Sequence, residues 1–294
     1  MSRVFRITAL AAAALVAAIG LAACSPLGTL NALSRTGDAE ATSGVAYGTL
    51  PRQLLDIYRP AASAPAAGWP VVVFFYGGSW NHGERADYRF AGNALASRGV
   101  LALVADYRLY PEVRYPDFLE DSAAALAWGL EHAKGLGGDP KRVFVMGHSA
   151  GGYNAAMLAL DPRWLRRAGH APSELAGLIG LAGAYDFLPI TNPEARPVFF
   201  HPDYPPQTQP IEFTGASAPP TFLGAAVKDV VINPQRNTVG LNDRLKAAGV
   251  PVTLRFYEHV SHATLVASLA RPLRFLAPTL DDISAFIAAT PPRR

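Results

Sequence analysis

Ser149 stands in the pentapeptide Gly-His-Ser-Ala-Gly of residues 147–151, and its surroundings are those that can turn a hydroxyl into a reactive group. The apolar, β-branched run 143–146 has the composition of a strand buried on both faces, and the small and apolar residues 153–160 continue as a helix. A serine is thrust out of a strand-to-helix turn only on a strained backbone between small neighbours, which accounts for glycine two residues to either side. An ordinary glycine-rich turn is the plain structural reading. The strand before it and the helix after it favour a nucleophile elbow with Ser149 at its tip.

Such a hydroxyl needs a base to take its proton, and the base needs an acid to hold its tautomer. Strand ends supply both. Asp229 follows the strand predicted over 220–227, and Glu258-His-Val-Ser-His262 follows the last strand, 252–257. The order Ser149, Asp229, His262 matches that of α/β-hydrolase triads. Asp186, after the strand 175–181, is the competing acid, and Asp229 as a plain turn former is the other reading of that residue. His262 sits where a loop meets an apolar helical run, 263–269, and has the reach to a neighbouring strand end; His259 reads as a structural or rim residue. The reaction also needs donors for a developing oxyanion, and the backbone amides of Gly78, Ser79 and Ala150 are the candidates. Gly77 and Gly78 serving only as a tight turn is the alternative. Trp80 and Tyr153 are candidate walls of a substrate pocket, Trp80 equally a packed aromatic. The seven histidines are otherwise scattered, and His259-x-x-His262 lacks the carboxylate of a zinc pattern, so neither a metal nor an organic cofactor is expected.

Eight strands are predicted to carry these residues: 45–47, 54–58, 71–76, 100–105, 143–146, 175–181, 220–227 and 252–257. Helices predicted over 85–98, 117–134, 153–160, 234–248 and 280–289 alternate with them, which argues for a mostly parallel sheet covered on both faces, with reactive groups at the carboxyl ends of the strands. One interval breaks the rhythm. Residues 184–217 hold seven prolines and six aromatics; that proline density forbids long regular elements, and that many aromatics do not suit a solvated linker. A small cap over the sheet is expected, a packing loop without a role in recognition being the alternative.

The 294 residues are 50% hydrophobic and 17% charged, the composition of a packed globule, and the net charge of +3 falls toward neutrality without Arg3 and Arg6. No basic stripe points to nucleic acid. Arg3 and Arg6, the apolar run 7–21 and the small residues before Cys24 have the order of an export signal, too short for a comfortable membrane span. Leu21-Ala-Ala-Cys24 resembles a bacterial lipobox, in which the peptide is cut before the cysteine and its thiol is lipidated. Cys24 is the one cysteine of the chain, so it closes no internal disulfide, and acyl chains there would anchor the protein to a membrane of the cell envelope. A plain signal peptide is the alternative. Residues 1–23 are thus read as a lipoprotein signal, 24–44 as a lipid-anchored flexible tether, and 45–290 as one domain with its cap at 184–217.

Over about residues 45–290 the chain resembles bacterial carboxylesterases of the α/β-hydrolase superfamily, most closely the branch of hormone-sensitive-lipase-like esterases, kynurenine-formamidase-like enzymes and feruloyl or acetyl esterases. The resemblance rests on Leu55-Asp-Ile-Tyr-Arg-Pro60, Tyr76-Gly-Gly-Ser-Trp80, Asp106-Tyr-Arg-Leu-Tyr-Pro111, the elbow, and the placement of Asp229 and His262. It implies an α/β-hydrolase fold and hydrolysis of small or short-chain carboxylic esters through an acyl-enzyme on Ser149. The same triad would serve an amidase, arylformamidase or small peptidase, and a non-catalytic binding module is the remote alternative. The family motif begins His-Gly-Gly, and Tyr76 takes the place of that His. The resemblance gives Asp106-Tyr-Arg a structural role beneath the site.

Overall fold

The structure is a computed structural model that describes residues 26–34 and 37–293; the export signal, the lipobox and Cys24 lie outside the described residues. Its strands are β1 (Ala39–Ala46), β2 (Leu54–Pro60), β3 (Trp69–Phe75), β4 (Leu101–Ala105), β5 (Gly138–His148), β6 (Gly177–Leu181), β7 (Thr221–Ala226) and β8 (Val252–Tyr257). They form one sheet in the order β1-β2-β4-β3-β5-β6-β7-β8. β1 and β2, and β2 and β4, run antiparallel, and every other pairing is parallel. This is the α/β-hydrolase fold expected. β4, β6 and β7 are buried at every position, as strands covered on both faces must be.

The helices are α1 (Pro26–Leu33), α2 (Arg89–Ala96), α3 (Asp117–His132), α4 (Ala150–Leu160), α5 (Pro162–Arg167), α6 (Gly240–Ala247), α7 (His262–Ala267) and α8 (Thr279–Ala289). From β3 the chain crosses through α2 to β4, then returns through α3 over β3 to β5. Right-handed crossovers in opposite directions place α2 and α3 on opposite faces. α8 packs beside α2, and α4 beside α3. The direction reverses between β3 and β5, so their carboxyl ends open a crevice, and there lie both the elbow and the 77–80 loop.

Two intervals depart from expectation. Within the interval read as a flexible tether, residues 26–33 form α1, and β1 begins at Ala39 rather than at residue 45. Asn31 secures α1 by donating to the carbonyls of Ala86 and Asp87 and accepting from the Phe90 amide. β1 takes its order from pairing with β2, Ala39 opposite Pro60, although its own side chains are mostly exposed. Neither partnership leaves a periodic trace in local composition. The helix expected over 85–98 begins instead as a 3₁₀ turn, Arg85–Tyr88, because the Arg85 amide is drawn to the Asp106 carboxylate at 2.7 Å. The 184–217 interval is irregular apart from two 3₁₀ turns, Pro197–Phe199 and Pro210–Phe213, in keeping with its prolines.

Candidate active site

The elbow is a product of steric necessity. Ser149 adopts φ 55° and ψ −120°, a left-handed backbone that costs a non-glycine residue on the order of 1–3 kcal/mol. Its amide donates to the Leu181 carbonyl of β6 at 2.9 Å, which holds the turn in place. A Cβ on Gly147 would lie 2.0 Å from the Gly151 carbonyl oxygen, and one on Gly151 would lie 2.1 Å from that of Phe75. Both glycines are therefore required by backbone packed on backbone, at the two positions where the pentapeptide has them.

Three side chains from three elements meet at this tip. His262, the first residue of α7, places Nε2 2.8 Å from Ser149 Oγ and Nδ1 2.7 Å from Asp229 Oδ2. A carboxylate only accepts, so Nδ1 carries the proton and Nε2 is left as an acceptor for the serine hydroxyl. Asp229 lies just beyond β7 and is almost wholly buried. Its Oδ1 accepts from the amides of Val231 and Ile232 at 2.8 and 2.9 Å. Burial alone would raise its pKa; the bond from His262 and the two amides outweigh that and hold the carboxyl below its ordinary range. Asp186, the competing acid, instead pairs with Arg236 at 2.8 Å. His259 is exposed and stands outside the cluster.

The amides of Gly78 and Ser79 donate to no acceptor among the described residues, and that of Ala150 belongs to the first turn of α4, where backbone donors lack intrahelical partners. Ser149, Ala150, Ser79 and Trp80 border a cavity of about 270 Å³ whose other walls include Phe187 and Ile190 of the cap and Val231 and Ile232 beside the acid. Trp80 is fixed by its indole N–H, which donates to Asn154 Oδ1 at 3.0 Å. Tyr153, expected at the pocket wall, does not line the cavity. It lies one helical turn beyond Ser149, and its ring is wholly buried edge-on to Trp80 at 5.2 Å, among Phe118, Phe187 and Phe199. The cap thus sends Phe187 and Phe199 down onto a stack rooted in α3 and α4.

Two side chains near the site escaped sequence reasoning. Asn192 of the cap donates to Ser79 Oγ at 3.1 Å, and nothing in the local sequence marks it. His148 donates to the backbone carbonyl of His262 at 2.9 Å; its place immediately before the nucleophile was the available signal. The 106–108 segment does lie beneath the site: Asp106 accepts from the Tyr76 hydroxyl at 2.8 Å, and the Tyr107 hydroxyl donates to the Tyr76 carbonyl.

Known proteins resemble this chain in sequence or in fold. Esterase LipC of Mycobacterium tuberculosis is 33% identical over 221 residues, 69% of this chain and 54% of that one. Isoprenylcysteine alpha-carbonyl methylesterase ICME of Arabidopsis thaliana is 29% identical, over 83% of this chain and 61% of its own. The chain therefore spans little more than half the length of these curated relatives. Among solved structures, an inhibited esterase B from Lactobacillus rhamnosis superposes with a TM-score of 0.73 over 94% of this chain and 95% of that one, at 20% identity, a likeness of fold. The BD-FAE family model matches residues 55–245, which run from β2 past the elbow and the acid into α6; over that majority of its length the chain belongs to the BD-FAE family, on an α/β-hydrolase fold.

Proposed function

We propose that the chain is a serine hydrolase of carboxylic esters that works through an acyl-enzyme on Ser149. The observation that carries the reading is the unbroken relay from Ser149 Oγ through His262 to Asp229, at 2.8 and 2.7 Å. His262 Nε2 takes the hydroxyl proton as Oγ attacks the ester carbonyl, and Asp229 stabilises the imidazolium that forms. The carbonyl oxygen, now negative, is received by the amides of Gly78, Ser79 and Ala150. Collapse of the tetrahedral adduct expels the alcohol, which takes the proton from His262. Water then repeats the sequence on the acyl-enzyme and releases the acid. The names of the curated relatives, esterase and methylesterase, support the choice of ester over other acyl derivatives.

The reading extends to short acyl chains. A cavity of about 270 Å³ lies at the small end of ligand pockets, and the packed stack of Trp80, Tyr153, Phe187 and Phe199 bars its extension. The test is a series of p-nitrophenyl esters from acetate to palmitate, with Ser149→Ala as control. Turnover should peak at short chains and fall by several orders of magnitude in the variant. A variant that keeps more than about a tenth of the wild-type rate would sink the assignment of Ser149, and a peak at palmitate would sink that of chain length.

The export signal and the lipobox-like Leu21-Ala-Ala-Cys24 support a second part of the proposal, that the protein is lipidated on Cys24 and held at a membrane of the cell envelope. Mass spectrometry of the amino terminus, with fractionation of wild type and Cys24→Ser, tests it. An unacylated terminus and unchanged fractionation would remove this part without touching the chemistry.

A further inference from the structure

The residue before the nucleophile has no part in the proton relay, yet it touches the relay from the side. His148 ends β5 and is only 4% exposed, with Nε2 2.9 Å from the carbonyl oxygen of His262. Because a carbonyl only accepts, Nε2 carries the ring proton and Nδ1 is bare. That nitrogen is buried with no hydrogen-bond partner among the described residues. It faces the oxyanion loop: a Cβ on Gly77 would come to 3.1 Å from it, and to 2.9 Å from the Cβ of Ser149. The imidazole is wedged between loop, elbow and the first residue of α7, its ring 4.8 Å from that of His262.

We infer that His148 is a positioning residue, whose Nε2–H grips the His262 carbonyl and so fixes the backbone from which the base reaches Ser149. This rests on the relay proposed above. Both ring nitrogens of His262 are engaged by Ser149 and Asp229, so the ring cannot anchor its own main chain independently of them. Of the residues before it, Glu258, His259 and Ser261 are exposed and Val260 alone is packed into the core. α7 has six residues and a serine cap, and a helix this short contributes little rigidity of its own. A clamp from the rigid sheet is what a base on such an element requires, since a displacement of about 1 Å can lower a rate roughly a hundredfold.

The clamp is also kept from switching. Burial, with the neighbouring His262 adding to it, pushes the His148 pKa down to about 3; the bond to the His262 carbonyl and, after it, the charge of Asp229 act in the opposite direction without offsetting this. Protonation would leave an Nδ1–H with no acceptor and set a cation beside the base. His148 therefore remains the same neutral donor through the range in which His262 must cycle.

Three variants separate a clamp from a core filler. In His148→Gln the amide reaches about as far as Nε2; in His148→Asn it stops short; His148→Leu fills the space with no donor. The Asn and Leu variants should lose roughly ten- to a hundredfold in kcat with KM within about threefold, whereas Gln should return to within about fivefold of wild type. Leu performing as well as Gln would overturn the inference. A measurement on the wild type covers the case of variants that do not fold: proton–nitrogen NMR should find His148 in the Nε2–H tautomer, without titration between about pH 5 and 8. An Nδ1–H tautomer, or titration in that range, would overturn it equally. A wild-type protein without ester turnover would instead remove the proposed function, and the ring-proton spectrum would still report whether the clamp exists.

Discussion

Acid should unfold this protein in part through His148, and the size of the effect follows from its burial. The folded imidazole has a pKa near 3, against an ordinary value of 6.5 for the unfolded chain. Between these values the unfolded state binds a proton that the folded state refuses, so stability falls as pH falls. The contribution is intact above about pH 6.5 and drains at about 1.4 kcal/mol per pH unit below it. By pH 4.5 the loss is about 2–3 kcal/mol, which for a chain of this size lowers the melting temperature by roughly 3–5 °C. Other groups titrate too. Asp229, with its depressed pKa, loses its stabilising contribution only below its ordinary value of 3.8, outside this window. His170 has a raised pKa, from burial outweighed by Glu174 and Glu131, and contributes in the opposite sense, fully in acid and less as pH rises. Both are removed by comparing the wild type with His148→Gln, which has nothing to titrate at that position. Urea unfolding of both proteins at about pH 7.5 and 4.5 should show the stability difference moving by about 2–3 kcal/mol in favour of the variant as pH falls. A difference that stays constant across the range would refute the claim that His148 is held neutral in the fold.

The two histidines that follow β8 should behave oppositely. His262→Ala should match Ser149→Ala in lost turnover, with the double variant little worse than either, while exposed His259→Ala stays within a few-fold of wild type; the reverse order in folded proteins would pass the role of base to His259. Tyr76→Phe removes a buried hydroxyl that donates to Asp106 and accepts from Arg52, both at 2.8 Å. Denaturant unfolding should show a loss of about 1–3 kcal/mol, and an unchanged midpoint would mean that the bonds are not formed in solution.

The elbow was legible because its requirements are local. Gly147 and Gly151 sit where backbone meets backbone, and a strand and a helix must flank them whatever else the chain does. Asp229 and His262 were legible for a related reason, since in a parallel sheet the loops at the carboxyl ends of the strands converge. What stayed hidden depends on partners distant in sequence. α1 is secured through Asn31 to residues more than fifty positions away, and β1 by a register against β2 that its own residues do not announce. Tyr153 illustrates the same limit within the site: helical spacing puts it near Ser149, but its ring direction is decided by Phe118, Phe187 and Phe199.

Position 76 shows how a departure from the family motif can leave the loop anchored. The Tyr76 ring is stacked between Tyr88 and Tyr107, with centroids 5.4 and 4.9 Å away, and its hydroxyl reaches past the loop to Asp106, just after β4. Burial raises the phenol pKa, so the group remains a donor beside that carboxylate. Arg52 completes the anchorage by donating to the Tyr76 hydroxyl and to the carbonyls of Gly83 and Tyr107. Arg85 bridges Asp106 and Asp56, so each of these buried carboxylates has a cationic partner. Farther along, the Gly78 carbonyl receives the amides of Asn81 and His82, and the Trp80 carbonyl that of Tyr110. The segment between these ties contains Ser79, which, like Trp80, has a positive φ that an untethered loop would relax. A loop secured on both sides can present the amides of Gly78 and Ser79 without rearranging when charge develops. For the proposed reaction that pre-organisation is what an oxyanion site contributes, and here a tyrosine and the Asp106 network supply the hold.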